Sequence, residues 1–557
     1  MKIHYYTIFL IFITGSLVSC INESITCDID PGGNNESKGM LSLKIRIPLT
    51  KSKIPARDYT EINKDSYNEI LINEVRVVFY KETEKNTIVE HLWNPDINLS
   101  IDNTTEEIAV TGNDLHSWKT EGESILIQTI AHPLHIEHYY MLIAVNPNNA
   151  IKAITALEQS VDKLDIPFDT FDDSGRNFAN MYTGTGSTHF LMLNRQGLIK
   201  LTNTNFHKTK EEAEETPVEV NVERTVAKVT VGYDISEFYG RFVMWANEIS
   251  YLTATDIKWH LNVVNKKSYW LRHLTNKAGA LGMEKQGDTD WENFYAEDPN
   301  FAVANTTYAD FRYLTPDDFT YTNGTNYSPR KLSPPSYPSL SGIDLASYWS
   351  WAEGDGPMYI PENTMEEDAQ TGDKTTTVVF EITLRRDWNS SDANTTGTPP
   401  TVEPFFVFKG GTQESAEHIH NNAYYENDER KYFYIISPQD MALYASGTVT
   451  DNQINPYIKE GLFDKIEKFK KENPNFNFSN WKNETAAKTN NLIFYNSAKL
   501  YYEVPIEHFS VAQAGGKGKY GRFGVVRNNL YNLNINKIMS LGSLTIPTPG
   551  TDLIETQ

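Results

Sequence analysis

The sequence predicts a mainly β protein with a few short helices, on three observations. Aromatics are abundant, with 31 Tyr, 26 Phe and 10 Trp beside many Thr, Asn and Val, a composition that favours strands and turns. Short runs of alternating apolar and polar residues recur along the chain. Only two segments carry a helical stripe: Ile151, Ile154, Leu157, Val161 and Leu164, and then Ile458, Leu462, Ile466 and Phe469 before Asn473-Pro474. A chain of 557 residues also leads one to expect two or more domains.

Residues 1–19 read as an export signal. Lys2 gives a positive start and residues 5–18 an almost uncharged apolar run, too short for a membrane span. Leu17-Val18-Ser19-Cys20 ends it as a lipobox, whose cysteine is acylated and becomes the new N-terminus. Cys27 is the only other cysteine, so no disulfide framework competes for Cys20. No later window approaches the roughly 18 apolar residues of a spanning helix, so lipid alone is expected to hold the exported chain at a membrane. With 50 Lys and Arg against 73 Asp and Glu, the net charge of −23 argues against nucleic acid or anionic lipid as a partner.

Residues 21–39 are polar and contain Pro31-Gly32-Gly33-Asn34-Asn35, as a flexible tether would. Residues 40–47 then alternate: Leu41, Leu43, Ile45 and Ile47 on one face, Ser42, Lys44 and Arg46 on the other, which predicts one half-buried strand. Residues 48–57 are basic and open, as in an exposed loop. Strands are expected at 72–80, 124–130 and 139–145, and a surface loop at 207–215. Residues 218–233 read as strand with a bulge or register shift, and a domain boundary is placed near residue 238. Further strands are expected at 254–264, 375–384, 404–408, 431–436, 500–506 and 530–538. The long loops between them, notably 288–338, are of a length that is often functional.

No catalytic or cofactor constellation emerges. Gly516-Lys517-Gly518-Lys519-Tyr520-Gly521 has the spacing of a nucleotide loop but leads into Val525-Val526 and a strand, which favours a glycine-rich hairpin. His418 and His420 lack a third ligand at recognisable spacing. His132, His135 and His138 with Glu137 resemble a ligand cluster, but Pro133 rules out the regular helix of an H-E-x-x-H site. Asp28, Asp30 and Gly32-Gly33 lack the later ligands of a calcium loop. The pairs Asp172-Asp173 and Glu366-Glu367 arise freely among 73 carboxylates. The reading is of a protein that is not an enzyme and uses no cofactor.

In order along the chain, several segments resemble the fimbrillins, specifically the minor-fimbrium (Mfa-type) subunits of type V pili. They are the lipobox ending at Cys20, the alternating strand followed by Pro55-Ala56-Arg57, and Ile72-Asn73-Glu74-Val75-Arg76-Val77-Val78-Phe79-Tyr80. Val222-Glu223-Arg224-Thr225-Val226-Ala227-Lys228-Val229 resembles the V-E-R-x-V-A-[KR] segment. Ala254-Thr255-Asp256-Ile257-Lys258-Trp259 is similar to the start of the C-terminal domain. Val525-Val526-Arg527-Asn528-Asn529-Leu530-Tyr531 resembles V-V-R-N-[NH]-x-Y, and residues 538–542 continue it.

The resemblance implies two β-sandwich-like (transthyretin-like) domains and a function in fimbrial assembly and adhesion. It divides the chain into a signal peptide (1–19), a lipidated propeptide with the first strand (20–57), an N-terminal domain (58–238), a C-terminal domain (239–540) and a tail (541–557). It further implies a lipoprotein precursor at the outer membrane, cut after Arg57 by an arginine-specific, trypsin-like protease. The strand with Leu41, Leu43, Ile45 and Ile47 would then leave, and a strand from another fimbrial subunit would take its groove. The tail departs from the stalk pattern by its shortness: Leu544, Ile546, Leu553 and Ile554 are its only candidates for a donor strand. Stalk subunit and tip or capping subunit therefore both stay open. A glycan-binding surface lipoprotein, with Trp291, Tyr295, Tyr348, Trp349 and Trp351 as platforms, is the other alternative.

Overall fold

The computed structural model describes residues 38–49, 69–102, 105, 107–181, 189–233, 243–246, 250–273, 296–302, 310–320, 327–332, 356–366, 369–388, 405–409, 423–426, 429–436, 471, 488–489, 492–495, 499–508, 521–535 and 542–550. It is mainly β with few, short helices, as the sequence predicts. The first part contains β1 (Lys38–Leu41), β2 (Leu43–Pro48), β3 (Val75–Glu82) and β4 (Thr87–Trp93). A separate hairpin of β5 (Asn98–Ile101) and β6 (Ile108–Thr111) precedes β7 (Leu115–Glu121), β8 (Ser124–Thr129), β9 (His132–His135) and β10 (Tyr139–Val145). Then come α1 (Asn149–Ile154), β11 (Phe168–Asp169), β12 (Met192–Asn194), β13 (Ile199–Leu201), α2 (Lys210–Glu215), β14 (Val218–Arg224) and β15 (Ala227–Tyr233).

One nine-stranded sheet runs β4-β3-β10-β12-β14-β2-β8-β7, with β13 also on β10. Every pairing along it is antiparallel except β14 with β2, which is parallel. The first half of β14 pairs β2 (Val218↔Leu43 to Asn221↔Arg46) and its second half pairs β12 (Asn194↔Val222 to Met192↔Arg224). By changing partner midway, β14 joins two layers that share a core. Val75, Val77 and Phe79 of β3 and Met141, Ile143 and Val145 of β10 meet Leu43, Ile45 and Ile47 of β2 and Ile125 and Ile127 of β8 there. The alternate residues, Val78, Tyr80, Leu142 and Ala144, point to the opposite face and pack with Ile151 of α1.

The second part is built on the long antiparallel pair Ser250–Asn262 and Thr377–Trp388, flanked by Val243–Ala246 and Lys499–Pro505. β15 lies between Met358–Ile360, antiparallel, and Leu530–Ile535, parallel. Trp259, Leu261, Phe380 and Ile382 share a core with Val229, Val231 and Tyr531. A further five-stranded sheet contains Phe405–Lys409, Glu429–Ile436 and Leu492–Tyr495.

Four local expectations change. The strand expected at 40–47 is broken at Ser42, because β1 follows β9 and β2 follows β8, so the break lies opposite the gap between β8 and β9. The helical stripe from Ile151 ends at Ile154 and resumes only as a 3-10 turn at Val161–Asp165. Between them, Glu158 adopts a φ of 66° and the backbone of 158–159 bonds to Val89, satisfying the free side of β4. Leu157 is left 55% exposed. The expected loop at 207–215 contains α2, started by Thr209, whose hydroxyl accepts the Glu212 N–H. Finally, 218–233 is not one bulged strand: it changes sheet at Thr225-Val226, where β14 ends and β15 begins. Residues 234–242, around the boundary placed near 238, and the second helical stripe at 458–469 lie outside the described residues.

Asn194 ties the middle of the sheet together. Its Oδ1 accepts the Ile143 N–H at 2.8 Å, and its amide donates to the Met141 and Gly197 carbonyls at 2.9 and 3.0 Å. Asn194→Ala strands three buried backbone groups, so we expect a loss of about 3 kcal/mol or more in urea denaturation. A loss below about 1 kcal/mol would contradict this account.

Candidate functional site: the first-strand groove

An alternating strand of four apolar residues can sit at an edge or inside a sheet; here it sits inside. Leu41, Leu43, Ile45 and Ile47 are each no more than 1% exposed. The strand's backbone is paired on both sides: β8 and β9 run along one, and His207 and the first half of β14 meet the other at Met40 and at Leu43–Arg46. Met40 exchanges hydrogen bonds with His207 at 2.8 and 3.0 Å while β1 pairs β9 on its other side. At the break, the Ser42 hydroxyl donates to the Thr129 carbonyl at 2.8 Å, and the Thr129 hydroxyl accepts the Leu43 N–H at 3.0 Å. The Ser42 carbonyl accepts from Val218 N–H, which starts the parallel pairing with β14. Gly39 is needed for close approach: a Cβ there would lie 2.8 Å from Phe206 Cβ and 3.0 Å from Ile136 Cγ1.

The outward face of β2 is held by charge. Arg46 Nη2 lies 2.8 Å from Glu219 Oε1 and 3.1 Å from Glu121 Oε2, and Lys44 Nζ 3.9 Å from Glu219. The Glu219 hydrogen bond, foremost, raises the Arg46 guanidinium above its ordinary pKa. At the end of the strand, Arg224 Nη1 donates to the Pro48 carbonyl at 3.1 Å.

Beyond the groove, the structure brings together two motifs that the sequence keeps about 300 residues apart. Asn528 N–H donates to the Val226 carbonyl at 2.7 Å and Lys228 N–H to the Asn529 carbonyl at 2.9 Å. Asn528 holds a φ of 61°, a left-handed conformation that Asn tolerates. Glu223 binds Arg272 through both oxygens at 3.0 and 2.5 Å, and Arg272 also donates to the Arg527 carbonyl. Arg527, 1% exposed, reaches Glu362 at 3.2 Å and the Trp270 and Tyr269 carbonyls. Glu69, which no sequence pattern marks, completes the junction: its Oε1 takes Lys228 Nζ at 2.6 Å and the Tyr359 hydroxyl at 2.7 Å.

In the tail, Ser543 exchanges hydrogen bonds with Tyr501 at 2.8 and 2.9 Å, and the Gly550 carbonyl accepts the Asp373 N–H at 2.8 Å. Leu544 and Ile546 are half-buried against the second core of the same chain. Cys20, Arg57, Leu553 and Ile554 lie outside the described residues. So do His418, His420, the Asp28–Asp30 stretch, most of the glycine run at 516–521, Glu367, and Trp291, Tyr295, Tyr348, Trp349 and Trp351. Asp172 serves a turn, accepting from Ser174 N–H and Asn177. His132 and His135 lie on β9, a strand, and His132 stacks on Trp93 at 4.4 Å with its Nε2 3.2 Å from His91 Nε2. Among the described residues, no group of three or more His, Cys, Asp or Glu is placed to hold a metal ion, and no helix is long and apolar enough to cross a membrane.

A buried, doubly paired first strand, and a late strand, Leu530–Ile535, laid parallel to β15, define a β protein whose N-terminal segment is structurally integral. Residues 493–557 match the family described as major fimbrial subunit protein type IV, fimbrillin, C-terminal, in agreement with the resemblance that residues 525–542 carry. Among solved structures, the chain is similar to a candidate cell adhesion protein of Parabacteroides distasonis at 10% identity and a TM-score of 0.37, covering 92% of this chain and 97% of that one. It is also similar to a fimbrial assembly protein of the same species (11% identity, TM-score 0.23, 63% and 100% covered). A third is the tip fimbrial protein Mfa3 of Porphyromonas gingivalis with a C-terminal truncation (11% identity, TM-score 0.25, 72% and 99% covered). No curated protein matches the chain.

The histidine pair beside β1 leads us to expect that the N-terminal part loses stability in acid. Burial first, and then His91, push the His132 imidazole down to about 4; Asp114 opposes this. Burial also lowers His91, with His135 and Lys38 adding to it and Glu90 opposing. Because the folded values lie below the unfolded one near 6.5, the neutral pair supports the fold above pH 6.5, and that support is lost as pH falls toward 4. Thermal denaturation should show a falling midpoint across this window that His132→Gln flattens; an unchanged slope in the variant counts against the pair.

Proposed function

We propose that the chain is a structural subunit of a bacterial surface fimbria, exported as a lipoprotein acylated at Cys20 and matured by a cut after Arg57. The observation that carries this reading is that β2 is an interior strand, parallel to β14 and antiparallel to β8. Loss of β1 and β2 together would open two facing rows of backbone groups and uncover the four sites of Leu41, Leu43, Ile45 and Ile47, worth roughly 6–12 kcal/mol in gross burial. Such a groove is a template for strand addition. An arginine-specific protease is the expected processing partner, the outer membrane the station of the precursor, and other fimbrial subunits the binding partners. Adhesion follows from a place in the fibre.

For the donor, the tail offers a local match: Leu544-Thr545-Ile546-Pro547 repeats the pattern of Ile45-Arg46-Ile47-Pro48. In that register Leu544 takes the Ile45 site and Ile546 the Ile47 site of a second copy. The alternative, a tip or capping subunit that accepts a strand and gives none, is favoured by the docking of residues 543–550 on their own domain.

N-terminal sequencing of material sheared from the cell surface should begin at Asp58-Tyr59-Thr60. A lipidated Cys20 start on all mature protein would refute the processing. Leu544→Asp with Ile546→Asp should stop fibre growth in a stalk subunit; undiminished fibres carrying the variant would leave the tip position.

A further inference from the structure

We propose that Arg224 couples occupancy of the first-strand groove to the junction between the two parts of the chain. The proposal rests on strand removal as read above, and concerns what the rest of the protein does when the strand goes. Arg224 is the last residue of β14 and only 5% exposed. Its Nη1 donates to the carbonyl of Pro48, the last residue of β2, at 3.1 Å, while its Nε stands 4.0 Å from Glu69 Oε2. Glu69, fully buried, is the carboxylate that binds Lys228 of β15 and Tyr359. Lys228 and Tyr359 are themselves register partners across β15 and Met358–Ile360.

A cut after Arg57 puts Pro48 and Glu69 on different fragments. Pro48 leaves with the strand, and Glu69 stays. The guanidinium then loses the Pro48 carbonyl, one of its buried acceptors, and the donor released there is free to turn to a nearby acceptor. Glu69 Oε2 is the charged acceptor already facing it, and closing from 4.0 Å to bonding distance makes a charge-assisted hydrogen bond. An emptied groove therefore adds Arg224 to the Glu69 clamp that already binds Lys228 and Tyr359, and fixes the carboxylate at both oxygens. An incoming strand that presents a carbonyl at the Pro48 position draws Arg224 back and relaxes it. The Glu69 carboxylate is in this way the sensor of a vacant groove.

The test uses the full chain with a sequence-specific protease site in place of residues 51–56, with mass spectrometry reporting whether the 38–49 segment departs. Hydrogen exchange is then followed at residues 227–229 and 358–360. We expect exchange there to slow by roughly tenfold when the groove is emptied, and to recover when a peptide of residues 38–49 is added back. Arg224→Lys, which keeps the charge but cannot bridge two acceptors, should abolish the response to the peptide. Equal exchange in filled and empty wild-type protein, or an undiminished response in Arg224→Lys, overturns the coupling. A strand that stays bound after the cut counts instead against strand displacement. The coupling is then read on the intact chain, where Arg224→Lys must alter exchange at 358–360 as well as at 44–48, and a change at 44–48 alone overturns it.

Discussion

The parallel pairing of β2 with β14 is the constraint on which the remainder of the N-terminal part depends. β14 has three obligations: its first half pairs β2, its second half pairs β12, and its end turns at Thr225-Val226 into β15 of the second part. Because β14 changes partner midway, β2 is the link between it and the β8–β7 pair. A sheet closed by an N-terminal strand far away in sequence is unusual in being separable at one place. Without β2, the first half of β14 and the whole of β8 become facing edges over a shared apolar core, and natural sheets seldom leave such edges bare.

Two kinds of charge pairing serve this arrangement differently. Arg46 with Glu219 and Glu121 lies at the surface, with side chains 29–45% exposed, where ion pairs contribute little to stability. Their role is to orient the polar face of β2 outward. Glu69, Glu223 and Glu362 are instead buried with Arg224, Lys228, Arg272 and Arg527 at the meeting of β14, β15 and the residue 525–531 segment. Buried pairs of this kind recover little net energy beyond their desolvation, but losing one partner leaves a charge stranded. The cluster thus fixes how the two parts of the chain meet more than it strengthens either.

What the sequence disclosed follows from which forces are local. The alternation of Leu41, Leu43, Ile45 and Ile47 was legible because one face is buried, whereas its interior position was not, since pairing partners are remote. The break at Ser42 is set by the gap between β8 and β9 and leaves no mark on the strand itself. α2 was missed because Lys210–Glu215 has only Ala213 to bury, although Thr209 and Glu212 carry the cap-and-return spacing that starts a helix. The motifs at 222–229 and 525–531 were visible as patterns, but their meeting, and the part of Glu69 in it, belong to the tertiary structure alone.

The two ends of the chain are held with unequal strength, and this bears on where exchange can lead. The first strand is bonded on both sides with all four apolar side chains out of water, whereas the described part of the tail, residues 542–550, has a reciprocal pair at Ser543, one bond from Asp373 to Gly550 and its apolar side chains only half-buried. Moving a strand from the second kind of seat to the first is downhill in both hydrogen bonds and burial. In the register set by Ile546-Pro547 on Ile47-Pro48, however, Gly542 falls on the Leu43 site and Ser540 on the Leu41 site. This tail would fill only the half of the groove nearer Arg224. A donor that alternates over the full length gains two more buried side chains, roughly 3–6 kcal/mol, and displaces the tail from a mixed population. On the proposed reading, a donor that alternates over the full length fits the groove better than residues 540–547 do, so a stalk and a terminal place in the fibre both stay open.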